Sequence, residues 1–287
     1  MCDSSDVSEI SPSQITDVAQ VSFSYMFKPE HQRTFRIVRC RRCSHVFCDP
    51  VPETIGRHYQ DVVDEEYLRH DESRRLAARE VLRVIQTHVP GGVLLDVGCA
   101  TGDLLDVARG VGYRAEGVEL SRWSADIARK RGLVVHEEVL ARLAERCPAS
   151  FDVVSLMGVI EHFANPRAEM ANIAALLKPG GLVAIWTGDV SSYLSRVLGR
   201  KWWYWQGQHV QYFTHKSLER LAADAGLAHV ETQRYPFAAT HRTLSNSLRR
   251  YRFHRVFSAA LLPLFKVRPV IYLRLPGEML FLARKRA

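Results

Sequence analysis

Between residues 91 and 188 the apolar positions come in short runs separated by stretches of helical spacing. Residues 93–97 (VLLDV) are apolar except for Asp96, and 151–157 (FDVVSLM) and 182–187 (LVAIWT) are apolar almost throughout. Runs this short and this apolar fit strands buried on both faces, as in a parallel sheet. Residues 115–119 and 133–136 read as two more strands, whereas 103–110, 121–131 and 168–177 read as helices. Ser121 stands where an N-cap belongs, and Pro179-Gly180-Gly181 ends the third helix. Strand and helix therefore alternate. This predicts an α/β fold with a doubly wound sheet, right-handed crossovers and ligands at the carboxyl ends of the strands. Asp96, Glu119, Met157 and Gly158 fall at those ends.

The flanks are less regular. Residues 1–24 are rich in Ser, Asp and Gln, carry no sustained period, and read as a loose tail. Residues 34–38 alternate like a short strand, and 65–89 read as an amphipathic helix whose basic residues form a solvated face. After Asp189 an aromatic stretch holds Trp202, Trp203, Tyr204, Trp205, His209 and Tyr212. A capped helix over 214–225 ends at Gly226, a strand follows over 227–234, and a last strand spans 279–283.

The turn after the first strand is Gly98-Cys99-Ala100-Thr101-Gly102. Its glycines permit positive φ and close approach of a ligand, and the following helix start offers free amides and the positive end of its dipole. The turn lacks the lysine of a phosphate-cradling loop, and G-x-x-x-G is not the dinucleotide G-x-G-x-x-G. Glu119 closes the next strand about twenty residues later, where a carboxylate accepts hydrogen bonds from ribose hydroxyls.

LLDVGCATGDLL (94–105), GVELS (117–121), FDVVSLMGVIEHFANP (151–166) and LKPGGLVAI (177–185), in this order, resemble the class I S-adenosylmethionine-dependent methyltransferases. The resemblance runs from about Gly91 to Gly188, with HKSLERLAADAGL (215–227) adding to it. It implies a seven-stranded Rossmann-like sheet whose last two strands are antiparallel, and S-adenosyl-L-methionine as cofactor. By the same resemblance Gly98, Cys99, Ala100, Thr101 and Gly102 lie against the methionine portion and ribose. Asp96 supports the loop or the methionine ammonium, Glu119 binds the ribose diol, and Leu120 packs on adenine. Glu138 and Val139 stand at the adenine edge, and Met157 and Gly158 border the cofactor. The expected division is a tail and zinc-ribbon-like remnant over 1–60 and a methyltransferase domain over 61–287. Insertions 189–213 and 235–277 would cover the acceptor as a lid.

Cys40-Arg-Arg-Cys43 holds two thiolates at zinc-ligand spacing, but a ribbon needs a second pair. Relatives carry that pair upstream, whereas here Cys2 stands alone. His45 and Cys48 offer a cramped completion, so a packed remnant is favoured over bound zinc. For the acceptor, the fourth strand continues into Met157-Gly158-Val159-Ile160-Glu161-His162 rather than the Asn/Asp-Pro-Pro-aromatic run of base-methylating enzymes. This resembles enzymes acting on an oxygen, or less readily a carbon, of a small metabolite, sugar or lipid-linked intermediate. His162 and His209 are the candidate bases, each weighed against a structural role.

Composition adds little. The chain has 287 residues, 47% of them hydrophobic and 24% charged, enough for a sizeable core. The net charge of +8 permits an anionic partner. Arg242, Arg249, Arg250, Arg252 and Arg255, followed by apolar 256–265, suit an anionic membrane surface or a phosphorylated acceptor; the bland reading is a solvated helix and a buried hairpin. A nucleic-acid-binding protein with a zinc knuckle and a retained cofactor fold is the alternative, and no aromatic-basic recognition motif supports it. The polar, acidic first ten residues and irregular cysteines argue for the cytosol, with peripheral contact on the inner membrane face as an option.

Overall fold

The structure is a computed structural model that describes residues 4–26, 28–248, 254–274 and 276–286. In chain order the strands are β1 (Val7–Ser11), β2 (Ile37–Cys40), β3 (Val46–Cys48), β4 (Gly92–Val97), β5 (Tyr113–Val118), β6 (Val134–His136) and β7 (Phe151–Met157). Then come β8 (Leu177–Gly188), β9 (Gln211–Tyr212), β10 (Leu227–Arg234), β11 (Phe237–Ala239), β12 (Ile271–Leu273) and β13 (Glu278–Lys285). The helices are α1 (Glu65–Leu68), α2 (Asp71–His88), α3 (Asp103–Gly110), α4 (Arg122–Lys130) and α5 (Leu140–Arg146). They continue with α6 (Pro166–Leu176), α7 (Tyr193–Leu198), α8 (His215–Asp224), α9 (His241–Leu248) and α10 (His254–Val267).

The main sheet has seven strands in the order β10-β13-β8-β7-β4-β5-β6. Pairs from β8 to β6 are parallel, and β13 runs antiparallel to both β8 and β10. The expected doubly wound sheet with an antiparallel end is therefore what forms. Its central strands β4, β7 and β8 are apolar almost throughout because both faces are covered, whereas the edge strand β10 is largely polar. Leu95, Val154, Val183 and Phe281 point into one core with α5, α6 and α8, while Leu94, Val153, Leu182 and Leu280 point into the other with α2 and α3. Local signals set the helix starts. Ser121 Oγ accepts from Ser124 N (3.1 Å), Asn165 Oδ1 accepts from Ala168 N (3.2 Å) with Pro166 at the first helical position, and Thr214 and Ser217 cap α8 reciprocally.

A second sheet, in the order β1-β2-β3-β9, is antiparallel. It corrects the reading of residues 1–24 as a loose tail: Val7–Ser11 pairs with Ile37–Cys40, and Ile15 is buried in a cluster with Trp202, Tyr204 and Tyr212. A five-residue strand of sequence VSEIS is too short and polar to register as periodic, and only its partner makes it one. The expected single helix over 65–89 is two, α1 and α2, broken after Leu68. Helix α6 stops at Leu176, ahead of Pro179-Gly180-Gly181, which lie within β8 rather than at the helix end. Helix α5 was not expected. Of the basic run, Arg249, Arg250 and Arg252 lie outside the described residues, Arg242 is exposed, and Arg255 falls in α10.

Candidate active site

The glycine turn is built on the carboxyl end of β4. The amides of Gly98 and Cys99 both donate to the Val118 carbonyl (2.8 and 3.0 Å), tying the turn to the end of β5. Gly98 has φ 70° and Gly102 has φ 85°, and Ala100 joins them in the left-handed region at φ 47°. A Cβ on Gly98 would lie 2.6 Å from Val159 Cγ2, and one on Gly102 would lie 2.2 Å from Leu133 Cδ1. Both positions need glycine for conformation and for space.

Two carboxylates stand at the ends of these strands. Asp96 is buried and accepts from Ser155 Oγ (2.6 Å); burial pushes its carboxyl up to about 7. Glu119 is buried too. Its Oε2 accepts from Ala100 N (2.8 Å) and its Oε1 from Ser121 N (2.7 Å). Burial raises its pKa, against the pull of those amides.

Both carboxylates line one cavity of about 890 Å³. Gly98, Cys99, Ala100, Leu120, Met157 and Gly158 line it as well, so the loop and the three strand ends converge as the sequence suggested. Thr101 and Gly102 do not line it. Thr101 is buried with its carbonyl accepting from Arg131 Nη1 (2.6 Å), and Gly102 shapes the start of α3. Glu138 and Val139 lie on the rim, Glu138 with its carboxylate paired to Arg146 and Val139 half exposed. The Cys99 side chain packs where a Cβ on Gly117 would fall, and burial raises its thiol pKa well above the usual value.

The two candidate bases both line this cavity. Their rings lie 4.8 Å apart, edge to face. Nδ1 of His162 is 2.8 Å from both the Gln208 carbonyl and the Tyr59 hydroxyl, and the Gly158 carbonyl takes a further bond. Burial lowers its pKa to about 4. His209 has one ring nitrogen committed: Nδ1 lies 2.7 Å from the Tyr204 carbonyl, which fixes the N–H there and leaves Nε2 as an acceptor. Burial, with His162 alongside, holds its pKa well below 6.5.

Sequence reasoning missed several cavity residues. Glu161 sits beside the histidines, accepts from Tyr204 Oη (2.5 Å) and Thr187 Oγ1 (3.0 Å), and is pushed up to about 7 by burial. Glu161, His162 and His209 are the one group of three metal-ligating side chains among the described residues. Cys40 and Cys43, at the β2–β3 turn, are not brought together with a third such side chain among the described residues. Arg74, expected on a solvated face, is half-buried on the cavity wall. Its Nε donates to Asp103 Oδ2 (2.7 Å), and its guanidinium covers the Tyr67 ring at 3.5 Å. Tyr25, Tyr59 and Tyr67, all N-terminal to the glycine turn, complete that side. None of these residues carried a local sequence signal.

The aromatic insertion divides its side chains. Trp202 and Tyr204 are buried in the second sheet's core, whereas the Trp203 and Trp186 indoles donate to Glu278 (2.6 and 3.0 Å) at the cavity. Tyr235 stacks on Trp186 at 4.2 Å.

A family model described as a methyltransferase domain matches residues 67–232. The chain is 37% identical over 123 residues to a ubiquinone biosynthesis O-methyltransferase of Paraburkholderia phytofirmans, covering 40% of this chain and 53% of that protein. It is 34% identical over 161 residues to the protein of the same name in Thiobacillus denitrificans, covering 51% and 69%. The chain thus spans about half the length of the first of these relatives. Among solved structures, a SAM-dependent methyltransferase from Archaeoglobus fulgidus superposes with a TM-score of 0.54 at 18% identity, over 77% of this chain and 100% of that one.

Proposed function

Since this chain belongs to the S-adenosylmethionine-dependent methyltransferases, we propose that it methylates an oxygen of a small-molecule acceptor, with His209 as the base. The observation that carries the reading is the single cavity lined both by Asp96, Glu119 and the glycine turn and by His209. A volume of about 890 Å³ is ample for a nucleoside-sized cofactor and a small acceptor side by side.

The residues present suit the cofactor's parts. Asp96 would meet the methionine ammonium, Arg74 would offer a counter-charge for the methionine carboxylate, and Glu119 would accept from the ribose diol. The glycines leave no Cβ in the way. The cofactor supplies a methyl group already activated on a sulfonium. What remains for the protein is alignment and, for a hydroxyl acceptor, removal of one proton. His209 Nε2 takes that proton while its Nδ1–H stays on the Tyr204 carbonyl. Glu161, within 4.8 Å of the histidine nitrogens, offsets the charge of the imidazolium. His162 is the more heavily engaged ring, with Tyr59, Gln208 and Gly158 bonded to it, and acts by positioning its neighbours.

The cavity lining includes the apolar and aromatic side chains of Trp186, Tyr235, Phe237 and Leu244, which favours an aromatic or aliphatic acceptor. An acceptor from ubiquinone biosynthesis, the pathway in the relatives' name, is the first to try. No helix among the described residues is long and apolar enough to cross a membrane. Helix α10, which packs on α9, exposes Leu262, Leu264 and Val267, a surface suited to peripheral contact with a membrane holding such an acceptor. The test is transfer of labelled methyl from S-adenosylmethionine to a panel of hydroxylated aromatic acceptors. Label on an acceptor oxygen is expected, and its loss in Glu119→Ala together with loss of cofactor binding. Transfer to nitrogen or carbon alone would overturn the oxygen reading.

A further inference from the structure

Residues 24–26 come from the segment that precedes the family match, yet all three line the cavity. The segment is pinned in place: Met26 N donates to Asp64 Oδ2 (2.9 Å), and Ser24 Oγ donates to the Met26 carbonyl (2.6 Å). The Tyr25 ring packs on Tyr67 with centroids 4.9 Å apart. Its hydroxyl donates to Glu119 Oε1 (3.3 Å) and accepts from Ser124 Oγ (3.1 Å).

This bond conflicts with the proposed work of Glu119. A carboxylate offers about four acceptor positions. Ser121 N and Tyr25 Oη take two on Oε1, and Ala100 N takes one on Oε2, with the Leu120 amide also facing the group. At most one position is left, and a ribose diol needs two. The amides belong to the turn and to the start of α4, and moving them would dismantle the site. The phenol is the donor that can withdraw: Ser124 Oγ, 3.1 Å away, still donates to its oxygen, and the phenol proton can turn into the cavity that Tyr25 lines.

We propose that Tyr25 is an internal stand-in for one ribose hydroxyl, exchanged for the diol as the cofactor enters, which makes residues 24–26 the gate of the ribose subsite. The proposal rests on the reading of Glu119 as the ribose-binding group. Calorimetric titration of S-adenosylhomocysteine into wild type, Tyr25→Phe and Glu119→Gln separates the two, with melting curves confirming that each protein is folded. Tyr25→Phe is expected to bind about five- to tenfold more tightly, because one competing bond to a charged acceptor is gone. Glu119→Gln is expected to bind more weakly. If Glu119→Gln weakens binding but Tyr25→Phe leaves it unchanged or weakens it too, the stand-in is overturned and the ribose reading survives. If Glu119→Gln binds like wild type, the ribose reading falls and the proposal falls with it.

Discussion

The role of His209 can be tested through the pH dependence of turnover. A base must be unprotonated to act, so the acid limb of the kcat/KM profile reports its pKa. Two buried groups compete for the assignment, and burial has moved them in opposite directions. His209 is held well below 6.5, whereas Glu161 is pushed up to about 7. With His209 as base, the profile should stay flat down through pH 6.5 and fall only in more acidic solution. With Glu161 as base, the limb would sit near 7. His209→Ala should lower turnover about 10²–10⁴-fold, roughly 2.7–5.4 kcal/mol of barrier, with cofactor affinity near wild type. The His209 ring bonds to the Tyr204 carbonyl and packs on His162 and Tyr204 rather than on the glycine turn or Glu119, so cofactor affinity should be spared. The assay is initial rate of labelled methyl transfer from pH 5 to 8.5, paired with calorimetry. An acid limb near 7 that persists in His209→Ala would refute the assignment and move the base to Glu161.

Two further outcomes are expected. His45 is buried between Phe47 and Phe213, with its pKa lowered to about 4 by burial. Its folded value lies below its unfolded one, so the stability it contributes is present above about pH 6.5 and is lost as pH falls toward 4. The amount is at most roughly 3 kcal/mol. Asp96 and Glu161, raised to about 7, act with the opposite sign and lose stability as pH rises toward 7, so the comparison must be wild type against His45→Gln. Urea unfolding at pH 7 and pH 5 should show a smaller acid loss in the variant, and equal losses would contradict this account. Cys40 and Cys43 lack a third ligand within reach among the described residues, so purified protein should carry well under one zinc per chain by elemental analysis. A full equivalent, with chelation lowering the melting temperature, would point to a real metal site at that turn.

The main sheet was legible because its central strands are buried on both faces and leave unbroken apolar runs at 93–97, 151–157 and 182–187. The glycine turn was legible because Gly98 and Gly102 answer a local backbone need. What the sequence hid are contributions that exist only through distant pairing. Tyr25 and Tyr59 reach the cavity from a region whose strands are three to five residues long and become strands only beside one another. Arg74 sits among other basic residues on α2, and nothing in the local pattern separates the one that turns inward. The two histidines could be named but not ranked from sequence. In both, Nδ1 faces a backbone carbonyl, and what sets them apart is the extra bonding around His162, from the Tyr59 hydroxyl and the Gly158 backbone, visible only in three dimensions.

Strand β3 pairs with β9, and His45 bonds through Nε2 to Gln211 Oε1 at 2.8 Å across 166 residues of chain. As the protein is synthesised, the first three strands of the second sheet emerge early, but the open edge of β3 must wait until the parallel strands β4 to β8 have been made. Closing so long a loop is slow, and an unpaired edge is exposed to other chains meanwhile. The loop that carries His209 is adjacent to β9 and so takes its final position only at this late closure. Maturation of the acceptor wall is thereby tied to a contact of long sequence separation, and cofactor-binding competence should appear earlier in refolding than turnover does.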